Sequence, residues 1–158
     1  MVNARTVSSP ADRALDHLAF VSGYLYRLLR YEARDLGIRW TALMVLKDLA
    51  LLGPSTQRTL AEIEQVREPT MTVLLQQMQK RGWVTRRRSP DSARVKLAAI
   101  TPKGQEELAT AGHFLRERLR AELAALSAAE WTALDAGLGP LVGHLTSKIG
   151  EATRSLTT

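Results

Sequence analysis

The sequence predicts a mainly α-helical chain with one small β-hairpin, and three observations carry that expectation. Apolar residues recur at intervals of three and four over most of the 158 positions, the spacing that lines one face of a helix. Between Trp83 and Ile100 that period gives way to two short strand-like runs around the turn signature Ser89-Pro90-Asp91-Ser92. The two ends of the chain carry long apolar stripes, more than a short central segment can cover.

The elements follow in order. Ser9, Pro10 and Asp12 make a helix start, with a hydroxyl cap, proline at the first helical position and an acid in the first turn. Leu15, Leu18, Ser22, Leu25 and Leu29 then mark a largely apolar stripe that ends near Gly37. A second helix begins near Trp40, carries Leu43, Leu46, Leu49 and Ala50, and stops before Gly53-Pro54. A short third holds Leu60 and Ile63. The fourth starts at Pro69, sets Met71, Leu74, Leu75 and Met78 on one face, and ends at Gly82. Trp83 to Arg86 and Val95 to Ile100 are the hairpin strands, joined by a basic tip. Thr101-Pro102 reopens helix, and Leu108, Leu115, Leu119 and Leu123 run down a long segment. Ser127 and Glu130 form a capping box for a last helix with Trp131, Leu134, Leu138, Leu141, Leu145 and Ile149.

This order reads as a winged helix-turn-helix, mainly α with a small β-hairpin wing, whose N- and C-terminal helices form a dimerisation region. The expected division is an N-terminal dimerisation helix over 1–37, a DNA-binding region over 38–101, and C-terminal dimerisation helices over 102–158. The three parts are expected to form one intertwined domain, because the terminal stripes are covered most economically by each other and by a second copy of the chain.

Composition narrows the function. There is no cysteine, which excludes disulfides, thiolate metal sites and cysteine nucleophiles. His17, His113 and His144 stand apart, without ligand spacing, so neither a metal nor a cofactor is expected. No nucleophile–base pair, carboxylate dyad or phosphate-binding glycine loop is visible, and an enzyme is not expected. Charged residues or glycine interrupt every apolar run, so no membrane span is expected. Met1 to Ser9 lacks the apolar core of a secretory signal, which points to the cytoplasm.

The charge is placed rather than spread. Ser55 to Thr101 holds nine basic and four acidic residues, most of the chain's net charge of +6. Affinity for DNA comes largely from neutralising phosphates and releasing counterions, so a concentrated basic segment has a direct use there. On the fourth helix, Pro69, Val73, Gln76 and Lys80 face away from the apolar side, flanked by Thr72 and Gln77. That surface is small, neutral and hydrogen-bonding. A glutamine can pair with an adenine edge, and a valine or threonine methyl can meet a thymine methyl. Thr70 and the free N–H groups of the helix start suit phosphate. Arg86, Arg87 and Arg88 run up the first wing strand, and Arg94 lies past the turn, where an arginine can enter a narrow minor groove. Arg86 has a second reading, as an anchor of the hairpin to the helices.

These residues resemble the MarR family of multiple-antibiotic-resistance-type regulators. Leu60-Ala61-Glu62 is similar to the family's first helix-turn-helix element. Pro69-Thr70-Met71-Thr72 and Met78-Gln79-Lys80-Arg81-Gly82-Trp83-Val84-Thr85-Arg86 are similar to its recognition helix and first wing strand. Pro90-Asp91-Ser92-Ala93-Arg94 and Ile100-Thr101-Pro102-Lys103-Gly104 resemble the wing tip and the helix after it. The resemblance implies a homodimer binding double-stranded DNA at a pseudo-palindromic operator. It implies a repressor, released by a small, often aromatic or anionic effector. It departs in five places: Gln65 stands at the family's turn glycine, Glu64 at an apolar position and Arg67 at a Ser-type cap. In the wing, Ser92 replaces an aspartate and Ala93 an arginine. For the effector, the cleft implied by the family would draw on His17, Tyr24, Arg39, Trp40 and His113. The competing function is a winged-helix module whose basic face docks an acidic protein partner, with weak or no specific DNA binding.

Overall fold

The computed structural model describes residues 9–89 and 95–155. The chain divides into two compact units, Met1–Trp40 and Thr41–Thr158. Its elements run α1 (Pro10–Asp35), α2 (Trp40–Leu52), β1 (Ser55–Thr56), α3 (Gln57–Ile63), α4 (Glu68–Lys80), β2 (Val84–Arg88), β3 (Lys96–Ile100), α5 (Pro102–Glu122) and α6 (Ala128–Ser155).

Helix α1 opens with the expected cap. The Asp12 N–H donates to Ser9 Oγ at 3.0 Å, and the Ser9 N–H donates back to Asp12 Oδ2 at 2.9 Å. Those bonds stabilise the charged form and hold the Asp12 carboxyl below its ordinary pKa. The helix ends in a Schellman motif: Gly37, at φ +68°, donates to the Arg34 carbonyl, and Ile38 donates to the Ala33 carbonyl. Along most of α1 the large apolar side chains are exposed, with Leu15 64% and Phe20 73% accessible.

In the second unit, a small antiparallel sheet has the order β1-β3-β2. The hairpin register pairs Val84 with Ile100, Arg86 with Ala98 and Arg88 with Lys96. Strand β1, only two residues long, pairs Ser55 with Ala98 and Thr56 with Leu97. Sequence periodicity cannot register so short a strand, and the expected hairpin is therefore a three-stranded sheet. The core is built from one face of each element: Leu43, Leu46 and Leu49 of α2, Leu60 of α3, Met71, Leu75 and Met78 of α4, and Val84 of β2 are all buried.

The wing is tied to α5 at one point. Thr101 caps α5 through the Gly104 N–H at 3.0 Å, and its own hydroxyl reaches the Gly82 carbonyl at 2.6 Å. Gly104 sits so close that an added Cβ would strike the Trp83 carbonyl oxygen and the Ile100 side chain. The capping box opening α6 is present, with the Ser127 N–H on Glu130 Oε2 at 2.8 Å and the Glu130 N–H on Ser127 Oγ at 3.3 Å. Helix α6 continues through Pro140 and leaves Trp131, Leu134, Leu138, Val142, Leu145 and Ile149 exposed.

Candidate DNA interface

Helix α4 owes its orientation to its apolar side. Met71, Leu74, Leu75 and Met78 are buried, which turns the opposite side to solvent. Pro69, Thr70, Val73, Gln76, Gln77 and Lys80 are exposed there, and Thr72 is half-buried. Val73 is 52% accessible, a β-branched residue that no core requires on that face. The Thr72 hydroxyl donates to the Glu68 carbonyl at 2.9 Å, so its donor is engaged within the helix and its methyl remains. Arg67 occupies the N-cap with no side-chain cap hydrogen bond. The leading N–H groups are thus left uncapped by their own chain, at the end of a helix where positive dipole accumulates.

The wing arginines divide. Arg87 and Arg88 are exposed on β2. Arg86 is half-buried, and its guanidinium donates to Gln57 Oε1 at 3.2 Å. The Gln57 amide in turn donates to the Glu68 carbonyl at 3.3 Å. One side chain of α3 thereby joins the root of the wing to the first residue of α4, a contact of the kind that the second expected reading of Arg86, as an anchor, requires. Sequence reasoning missed Gln57, whose role depends on a contact 29 residues away along the chain. Where the wing narrows, Ser89 donates to the Val95 carbonyl at 2.8 Å. Arg94, with Ser92 and Ala93, lies outside the described residues.

The turn between α3 and α4 is the most unusual backbone in the site. It is a Schellman motif like those ending α1 and α4, with Val66 donating to the Ala61 carbonyl at 2.9 Å and Gln65 to the Glu62 carbonyl at 3.2 Å. At the same position α1 and α4 use Gly37 and Gly82. Here Gln65 holds φ +52°, the one positive value at a non-glycine among the described residues. The geometry expected of a glycine is kept without the glycine.

Beside it, Glu64 caps α3 and is half-buried. Burial first, then the charge and hydrogen bond of Asp48, pushes the Glu64 carboxyl up to about 8. Burial also raises Asp48 on α2, against the opposing pull of its hydrogen bond to Glu64 and of the Lys47 charge. Asp48 Oδ2 is buried and meets no N–H or hydroxyl donor among the described residues.

The residues expected to line an effector cleft are placed as follows. In the first unit, His17, Tyr24 and Arg39 are exposed, and Trp40 is half-buried with its ring edge-on to Tyr26 at 6.0 Å. His113 is exposed on α5 of the second unit. Sequence reasoning missed a shallow depression of about 340 Å³ on α1, lined by Tyr26, Arg27, Arg30, Tyr31 and Arg34. The three-and-four spacing of its arginines was the available signal. Among the described residues no cluster of three metal-ligating side chains is present, and no helix is long and apolar enough to cross a membrane.

Comparison with known proteins finds the same arrangement elsewhere. Residues 38–96 match the MarR family model, the span that contains α2, α3, the turn, α4 and the first wing strand, β2. No curated protein matches the chain. Among solved structures, a probable transcriptional regulator from Pseudomonas aeruginosa is 26% identical, with 80% of this chain and 97% of that one covered at a TM-score of 0.58. The apo form of wild-type MarR from E. coli is 24% identical, with 80% and 93% covered and a TM-score of 0.71. A MarR family protein from Bacillus stearothermophilus is 20% identical, with 92% and 99% covered and a TM-score of 0.70. The fold is the winged helix of those proteins, and residues 38–96 carry the match to the MarR family model.

Proposed function

We propose that the chain acts as a homodimer, a non-enzymatic repressor that reads a pseudo-palindromic operator with two copies of α4. The observation that carries this reading is the outward face of α4. Val73 and Gln76 stand exposed on a helix whose other side is locked in the core, with uncapped N–H groups ahead of them. In a major groove, Gln76 and Gln77 supply base-edge hydrogen bonds, Val73 and Thr72 supply methyl contacts, and Pro69, Thr70 and Lys80 lie toward the backbone. Arg87, Arg88 and Arg94 serve the wing, while Arg86 acts mainly through Gln57. Such a protein works where the chromosome is, in the cytoplasm.

The dimer reading rests on the terminal helices, 1–37 and 102–158. The apolar row on α6 and the exposed Leu15, Leu18, Phe20 and Val21 on α1 are what a second copy would cover, and two copies match a two-fold operator. The effector reading has its support in the tyrosine–arginine depression on α1, whose chemistry suits a planar anion, together with His17, Tyr24, Arg39 and Trp40 of the same unit. The alternative, a module docking an acidic protein, drew on the altered turn and on Ser92 and Ala93 in the wing, which lie outside the described residues. Gln65 keeps the turn's hydrogen bonds, which favours the DNA-binding reading.

The test is fluorescence anisotropy of duplexes from the promoter beside the protein's own gene, at two salt concentrations, against scrambled competitor. Specific, salt-sensitive binding of two chains per site is expected. Equal competition by scrambled duplex rejects sequence-specific regulation at that site.

A further inference from the structure

We propose that Asp48 and Glu64 share one proton and act as a latch between α2 and the turn that sets α4, making DNA binding proton-dependent. The DNA part of this inference rests on the function proposed above; the latch itself does not.

A buried carboxylate oxygen without a donor is costly, because its lone pairs have lost water and gained nothing. Asp48 Oδ2 is in that position, and the group hydrogen-bonded to Asp48 is the Glu64 carboxyl. Two carboxylates cannot donate to each other. The contact therefore exists as a hydrogen bond only while one of them carries a proton, as in other close carboxyl pairs. The proton also removes a negative charge from the C-terminal end of α3, where the helix dipole is unfavourable to an anion. Lys47 is the cation acting on Asp48. Beyond Glu64, Glu62 is held in an ion pair with Arg58 at 2.9 Å.

What the latch holds is the turn. Glu64 is the residue before Gln65, whose φ of +52° is tolerated only while its surroundings enforce it. With the proton, the Glu64 side chain is drawn toward α2, and the Schellman hydrogen bonds of Gln65 and Val66 are supported from below. Without it, two charges in a half-buried contact repel. Glu64 is then driven toward water, and the strained turn, with the start of α4 behind it, loses its support.

The sign of the linkage follows from the Glu64 carboxyl, raised from 4.5 to about 8. Stability from this proton is fully present below about 4.5 and is lost as pH rises through about 8. At pH 9 roughly one pair in ten retains its proton. If the ionised form does not bind, apparent affinity falls by up to roughly tenfold between pH 7 and pH 9. That window lies above ordinary histidine titration and below that of lysine.

The experiment follows the full chain, Glu64→Gln and Asp48→Asn by thermal unfolding without DNA and by duplex anisotropy. All samples are read between pH 6 and 9 at constant ionic strength. Each variant keeps the shape and the hydrogen bond while removing the shared titration. The native chain is expected to lose roughly 3–6 °C of Tm across this range and to bind less tightly above pH 8, with both variants flat. Parallel melting profiles in native and variant chains overturn the latch. A melting step present only in the native chain, with DNA affinity that ignores pH, overturns the coupling to DNA. If no duplex binds at any pH, the regulator reading fails, while the melting profiles still decide the latch.

Discussion

Among the described residues three helices end in the same Schellman motif, and one of the three does so without glycine. Gly37 and Gly82 reach positive φ without penalty, whereas Gln65 does so against the contact of its Cβ with the backbone, at about 1 kcal/mol or somewhat more. Glycine there relieves strain but adds freedom to the unfolded chain. Gln65→Gly is therefore expected to stabilise by roughly 0.5–1 kcal/mol, and Gln65→Ala to gain nothing. Urea denaturation of both variants checks this, and equal stability of the two would show that backbone strain is absent. Gln76 makes a different prediction. Its amide has no partner among the described residues and faces outward from α4, so Gln76→Ala should relax preference at one base pair by roughly 1–3 kcal/mol. Selection of bound duplexes from a randomised pool reads that directly; an unchanged consensus removes Gln76 from the base readers.

At the scale of elements, the wing depends on how α5 begins. Gly104 lies against the Trp83 carbonyl and Ile100, in the short stretch where Thr101 also bonds the Gly82 and Trp83 carbonyls. Because the obstacle to a Cβ is backbone, Gly104→Ala must move the strand or the helix. A loss of about 2 kcal/mol or more is expected, seen as a lower denaturant midpoint, and an unaltered midpoint would mean the junction is looser than its geometry. Elements of this kind were legible in the sequence wherever several side chains repeat one signal. The buried side of α4, the caps at Ser9, Thr101 and Ser127, and the glycine stops at Gly37 and Gly82 all follow from local chemistry. What escaped was non-local. Strand β1 exists only through its pairing with β3, and Gln57 matters only because folding brings Arg86 and the start of α4 to it. Glu64 read as a misfit at an apolar position, and its meaning came from Asp48 on another helix. Arg86 shows the same limit from the other side, since its charge suggested DNA and only the fold shows its hydrogen bond to Gln57.

Over the whole molecule, the terminal helices hold more apolar surface than one chain covers. Trp131, Leu134, Leu138 and Val142 form an exposed row on α6, with Val142 59% accessible. In the proposed homodimer that row is buried. Glutamate placed there would be harmless to a monomer and would have to be desolvated in a dimer, at several kcal/mol. The double substitution Leu138→Glu with Val142→Glu is expected to give a folded monomer by light scattering and to weaken DNA binding at least about tenfold, since one half-site is then read alone. An unaltered dimer would place the interface elsewhere. The central claim, that this chain is a sequence-specific DNA-binding dimer, is tested most directly by anisotropy on the promoter duplex beside its own gene, with scrambled duplex as competitor. Two chains per site, resistance to the competitor and a steep loss of affinity with salt are predicted. Binding that scrambled DNA displaces equally, or none even at low salt, would contradict it.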